Sequence, residues 1–150
     1  MVEIRACTVA EVFDNPAATA LWNEYAREAA MPGLGVHDPQ VAQYAQLEAV
    51  GVLHTLCAFI EGELVGLVTV LVSMSPHWGR LMASTESFFV RDKARHTGAG
   101  LALLEAAEAH CTALGVHNLF IIAGMNSRLI KIIPHRGFTE CHRVFHKPLR

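Results

Sequence analysis

Ser84-Thr85-Glu86-Ser87-Phe88-Phe89-Val90-Arg91-Asp92-Lys93-Ala94-Arg95-His96-Thr97-Gly98-Ala99-Gly100-Leu101 is the stretch on which the reading of this chain turns. Its first half closes a β-rich run, so a strand from about Leu81 to Val90 is predicted. A polar turn from Arg91 to Gly98 follows. Beyond it Leu101, Leu104, Ala107, Cys111 and Leu114 recur at helical spacing, which predicts an amphipathic helix from Gly98 to Leu114 ended by Gly115. A strand, a glycine-containing turn and a helix start leave unpaired amides at the positive end of a helix dipole. Gly98 and Gly100 permit unusual dihedrals and close backbone approach. Such a turn attracts phosphate, with Arg95 as a nearby counter-charge. An isolated Gly-x-Gly also occurs where glycines merely shape a turn. Two other phosphate motifs are excluded: GxxxxGK[ST] is absent, and Gly98-Ala99-Gly100-Leu101-Ala102-Leu103 has Leu103 where GxGxxG needs its third glycine.

The elements on either side extend the pattern. Val2 to Ala6 reads as a short strand. A helix from about Pro16 to Ala30 has Asn15 as its cap and Pro16 in its first turn, and a second runs from Asp38-Pro39 to about Val50, where Gly51 ends it. Val52 to Ile60 and Leu64 to Ser73 are strands joined by Glu61-Gly62-Glu63 as an antiparallel hairpin. Ser75 to Gly79 is a loop. After the long helix, Asn118 to Ala123 is another strand, Ser127 to Ile133 a short helix stopped by Pro134, and Phe138 to His146 a closing strand. No repeat or linker interrupts this order, so residues 1–150 read as a single α/β (α+β) domain with one mixed sheet covered by helices.

Composition narrows the function classes. With 52% hydrophobic and 17% charged residues in 150, the chain must form a packed core. A formal net charge of −2 gives no field that draws it to nucleic acid or to an anionic membrane surface. The apolar run Leu64 to Met74 is too short to span a bilayer. Met1-Val2-Glu3-Ile4-Arg5 is no signal peptide, and a cytoplasmic location is expected. Cys7, Cys57, Cys111 and Cys141 form no CxxC or CxxxC pair and read as reduced thiols. Nine histidines offer only His142 and His146 at a ligand spacing, and that spacing would need a helix, so no metal site is expected.

Arg95-His96-Thr97-Gly98-Ala99-Gly100 fits the [QR]-x-x-G-x-[GA] signature of the GNAT superfamily of N-acetyltransferases, at the strand-to-helix position where that family carries it. The resemblance continues with Asn126 after the next strand and Gly137-Phe138 eleven residues later, and covers roughly residues 52 to 146. It implies a mostly antiparallel sheet flanked by helices and acetyl-coenzyme A as cosubstrate. By the same resemblance the pyrophosphate is held by the turn of Arg95, His96, Thr97, Gly98, Ala99, Gly100 and Leu101, with Phe88, Val90 and Asn126 also at the coenzyme. Asn126 is equally suited to capping the helix that follows it. The family is often dimeric, so a homodimer is a further expectation.

Transfer to an amine needs a base, because alkyl amines are largely protonated at neutral pH. Strict alternation puts Ser84, Glu86, Phe88 and Val90 on one strand face. Apolar surroundings make a carboxylate a better base. Glu86 also resembles a strand glutamate that some GNAT enzymes use, and it is the candidate catalytic residue; a solvent-facing Glu without catalytic duty is the alternative. Many family members protonate the leaving thiolate with a Tyr four residues before the Gly-Phe glycine, where this chain has Ile133. His135 has the wrong offset to replace it, which leaves water or substrate. Trp22, Tyr25, Tyr44 and the His77-Trp78 loop are candidates for the acceptor pocket. The leading expectation is an N-acetyltransferase in which a primary amine of a small molecule or peptide attacks acetyl-coenzyme A directly. The alternatives are a non-catalytic acyl-coenzyme A binding or regulatory domain, and a structural partner protein that dimerises through a sheet edge.

Overall fold

A computed structural model describes all residues 1–150. β1 (Val2–Cys7), β2 (Leu53–Ile60), β3 (Glu63–Ser75) and β4 (Arg80–Val90) pair antiparallel in sequence order, and β5 (Asn118–Phe120) joins parallel to β4. A parallel pair needs a crossover, and α4 (Ala99–Ala113) supplies it while packing across β1 to β4 on one face. The preceding helices are α1 (Val9–Phe13), α2 (Ala18–Ala29) and α3 (Val41–Ala49); α1 and α2 send buried side chains into the core on the other face. A four-residue α5 (Leu129–Ile132) comes after β5.

Because helices cover both faces, the central strands are buried on both sides, and seven consecutive residues from Leu64 to Val70 are buried. Alternate residues feed two cores. Val68, Val70, Ala83 and Val90 meet Leu103 and Ala107 of α4. Cys57, Leu67 and Phe89 meet Val12 of α1 and Leu21 of α2. The hairpin between β2 and β3 is turned by Glu61 and Gly62 alone, both at positive φ, as a two-residue turn of matching twist requires. At Gly66 an added Cβ would come within 2.8 Å of the Phe89 carbonyl, so only glycine lets β3 and β4 approach there.

Several boundaries differ from the expectations, each for a local reason. α1 is unanticipated, although Thr8 and Glu11 form a capping box in which each side chain accepts from the other's amide. α2 starts at Ala18 instead of Pro16, with Asn15 Oδ1 accepting from the Ala17 amide at 2.9 Å. α3 starts at Val41, and Asp38 accepts from the Gln40 side chain instead of capping the helix. β5 stops at Phe120. The last α-helix starts at Leu129 instead of Ser127 and ends at Ile132, just before Pro134, which sits near the first position of a following 3-10 turn, Ile133–Arg136, where its missing N–H costs nothing. The expected closing strand from Phe138 to His146 is absent: this segment is irregular and, apart from Phe138, exposed, with His142 against Phe120 and Pro148 reaching Gly33.

His54 of β2 and His110 of α4 form a pair across the sheet–helix boundary. His54 Nε2 donates to the Gly51 carbonyl at 2.9 Å, so its Nδ1 accepts from His110 Nε2 at 3.1 Å. Burial and then the neighbouring His54 hold the His110 pKa below its ordinary value. The unfolded chain therefore binds this proton more readily, and the contribution is full above pH of about 6.5. Thermal melts should lose stability as pH falls from there, and His110→Gln should flatten that slope. Leu103→Ala, which empties a fully buried site under α4, should cost about 3 kcal/mol in urea unfolding.

Candidate active site

Glu86 owes its position to a fault in the β3–β4 ladder. Val70 pairs with Thr85 and Thr69 with Ser87, so Glu86 is an extra residue with no partner on β3. A bulge of this kind reverses the alternation. Val90 and the half-buried Phe88 pack into the α4 core, whereas Glu86 reaches α3, where its Oε1 accepts from the Tyr44 hydroxyl at 2.6 Å. The shared face expected for Ser84, Glu86, Phe88 and Val90 is corrected by that one unpaired residue. Neither the bulge nor the Tyr44 contact has a local sequence signal, since each depends on pairing across the fold.

On its other side β4 is paired only at Met82, Ala83 and Ser84. Past Phe120 the chain leaves the sheet, and the Ile122 amide donates to Thr85 Oγ1 at 2.8 Å instead of to a strand carbonyl. From Ser87 to Val90 the strand has a ladder partner on the β3 side alone, and this open edge runs from beside Glu86 toward the following turn.

That turn is a short 3-10 segment, Asp92–Thr97, followed by Gly98 in the left-handed region at φ +86° and then by α4. Thr97 Oγ1 donates to the Ala94 carbonyl at 2.6 Å and accepts from the Ala99 amide at 3.3 Å. Gly98 has no side chain to cap the helix, and the first α-helical bond is from the Ala102 amide to its carbonyl. Gly100 and Leu101 thus present amides at the helix start without intrahelical partners. A Cβ on Gly100 would meet only Val90 Cγ2, at 3.8 Å, so packing does not demand glycine there. Its bareness leaves the backbone open to approach from outside. His96 and Thr97 are exposed beside it.

Arg95, expected as a free counter-charge, is engaged within the protein. Its Nε donates to the Val90 carbonyl at 2.9 Å, Nη2 pairs with Glu28 at 2.5 Å, and the guanidinium lies over the Phe89 ring. It braces the turn. Glu24, one helical turn before Glu28 on α2, accepts from Arg91 Nε at 2.9 Å and from the Asp92 amide at 3.0 Å. Burial pushes the Glu24 carboxyl up, but the Asp92 amide and Arg91 outweigh it and hold the group below the usual range. Glu63 joins by pairing with Arg91 and Lys93. These glutamates escape a reading of the chain as dispersed charges; the i, i+4 spacing of Glu24 and Glu28 is the one signal that could have found them.

Rings from five segments form a cluster that reaches Glu86 through Tyr44. Trp22 lies between Phe13 and His37, Tyr25 meets Phe89 edge-on, and Phe13 also touches Tyr44. Tyr25 is pushed to a higher pKa by burial and then by the Glu86 charge. Asn126 sits in an exposed turn after β5 and does not cap the helix that follows, where Ser127 Oγ accepts from the Leu129 amide at 3.2 Å. Ile133 is half-buried and His135 is exposed.

The sequence model of the acetyltransferase (GNAT) family matches residues 18–138, from α2 through β2 to β5 and the turn just described to Phe138. The chain belongs to the GNAT acetyltransferase family. Solved structures agree on the fold. An aminoglycoside acetyltransferase, HMB0005, from an uncultured soil metagenomic sample superposes with a TM-score of 0.78 at 18% identity, covering 100% of this chain and 99% of that one. A ribosomal-protein-alanine N-acetyltransferase from Brucella melitensis biovar Abortus 2308 gives 0.73 at 15% identity over 97% and 96%. Glucosamine-6-phosphate N-acetyltransferase from Arabidopsis thaliana gives 0.75 at 13% over 100% and 99%. No curated protein sequence matches. This GNAT chain is an acetyltransferase with a mixed, mostly antiparallel sheet, as its sequence leads one to expect.

The hold of α2 on the turn is open to measurement. Glu24→Ala strips the Asp92 amide and Arg91 of their acceptor at a partly buried position, and should lower stability by about 2 kcal/mol in urea unfolding. Glu11→Ala, on the exposed side of α1, should cost less.

Proposed function

We propose that the protein transfers an acetyl group from acetyl-coenzyme A to a primary amine by direct attack, with Glu86 as general base. The observation that carries this reading is the one-sided stretch of β4, which connects a turn of free amides at one end to a carboxylate at the other. Four residues of strand separate Glu86 from Val90, roughly 13 Å. The amides of Gly100 and Leu101, with the exposed backbone at His96 and Thr97, suit a pyrophosphate. Phe88 and Val90, whose side chains pack into the α4 core, are proposed at the coenzyme on the family resemblance alone. Asn126 is proposed at the coenzyme on the strength of the family resemblance, since its exposed turn leaves its amide free.

The reaction forms one N–C bond and breaks one C–S bond. The neutral amine adds to the thioester carbonyl, the tetrahedral adduct expels the thiolate, and the amine proton passes to Glu86 directly or through water. Ile133 has no proton to give, so the thiolate takes one from water or from the substrate. The ring cluster beside Glu86 supports an acceptor whose ammonium group binds near aromatic faces before it is deprotonated. Four unpaired thiols favour a reducing compartment such as the cytoplasm. Exposed Ile122, Met125, Ile130 and Ile132 beside the short β5 favour association of two copies. No helix is long and apolar enough to cross a membrane.

Thiol release measured over an amine panel, with acetyl-coenzyme A binding followed in parallel, tests the reading. Glu86→Gln should cut turnover at least a hundredfold and flatten its dependence on pH while coenzyme affinity survives. Binding without release on any acceptor would instead mark a non-catalytic acyl-coenzyme A module.

A further inference from the structure

We infer that Tyr44 is a positioning residue, whose hydroxyl holds one oxygen of the bulged Glu86 carboxylate and leaves the other for the acceptor amine. The inference rests on the proposed role of Glu86 as base and extends it to a second residue on a different element.

A glutamate on a strand bulge, exposed and without a ladder partner, has several rotamers open to it. Tyr44 removes that freedom. Its hydroxyl donates to Glu86 Oε1 at 2.6 Å, the only hydrogen bond that the Glu86 side chain makes. The ring that carries it is fixed in turn, because it packs against Phe13 at the end of α1. Tyr44 also lines a small cavity with Trp22, Thr69 and Ser87, of about 10 Å³, room for one water. The Trp22 Nε1 in that wall is buried without a partner, which a water there would supply.

The chemistry of the contact has a definite direction. Burial, and then the bond to Glu86, push the Tyr44 phenol well above its ordinary pKa, so it is a donor throughout the working pH range and never competes for the amine proton. A donor held on one carboxylate oxygen fixes the orientation of the group and leaves the second oxygen free to accept. The titratable groups that face Glu86 are Tyr44 from α3 and Tyr25 from α2, with His37 of the intervening loop stacked on Tyr25. None carries a positive charge fixed against the carboxylate, so Tyr44 is its principal stabilising neighbour.

The test is Tyr44→Phe, which keeps the ring and removes the hydroxyl, assayed as kcat and kcat/KM against pH with the acceptor that the amine panel identifies. The expected result is a roughly tenfold fall in kcat, because the carboxylate is no longer held in one orientation toward the amine. The KM for acetyl-coenzyme A and the melting temperature should stay at parental values, which a merely structural role would not allow. Combined with Glu86→Gln, the substitution should add no further loss, because it acts only through that carboxylate. Parental turnover in Tyr44→Phe, or losses that multiply in the double variant, overturn the inference. If Glu86→Gln itself keeps the acidic limb, the assignment of the base fails first and separately.

Discussion

Hydrogen bonding along β4 is complete on one side and stops early on the other, and the rest of the molecule is arranged around that asymmetry. β5 matches β4 for only three residues before leaving the sheet. Unpaired backbone in a buried strand is costly, so the open stretch persists only where something else meets it. Thr85 satisfies the Ile122 amide and Arg95 satisfies the Val90 carbonyl, both with side chains. The five-stranded sheet is thereby split without being destabilised, and the split runs between the two places where chemistry is proposed.

Charge on the α2 side serves geometry. Glu24 and Glu28 hold Arg91, the Asp92 amide and Arg95, so the turn before α4 is fastened to a helix from the opposite face of the sheet. The amides of Gly100 and Leu101 at the helix start stay free because the cap residue, Gly98, has no side chain to accept from them. A turn that presents backbone donors instead of mobile cations has less to reorganise when an anion arrives.

Sequence patterning conveyed the parts of this structure that are local. The strand–turn–helix around Gly98, the β2–β3 hairpin and the length of α4 follow from glycine placement and from periodicity. The orientation of Glu86 does not, because its bulge exists only in the pairing of β4 with β3, and a single extra residue inverts every face assignment that crosses it. α1 was within reach through Thr8 and Glu11. Phe138 to His146 has strand-like residue types, yet its surroundings supply no ladder, and propensity alone does not make a strand. Tyr44 lies 42 residues from Glu86, beyond any spacing rule.

One consequence of the α2 arrangement is mechanical. The same helix contributes Trp22 and Tyr25 to the ring cluster and Glu24 and Glu28 to the brace under the turn, on two faces of one rod. Tilting that rod to admit a bulkier acceptor drags on the brace as well. The rings beside Glu86 and the fastening of the turn are thus mechanically coupled through α2, whereas the loop from Ala30 to Gln40 can shift without loading the Glu24 and Glu28 contacts.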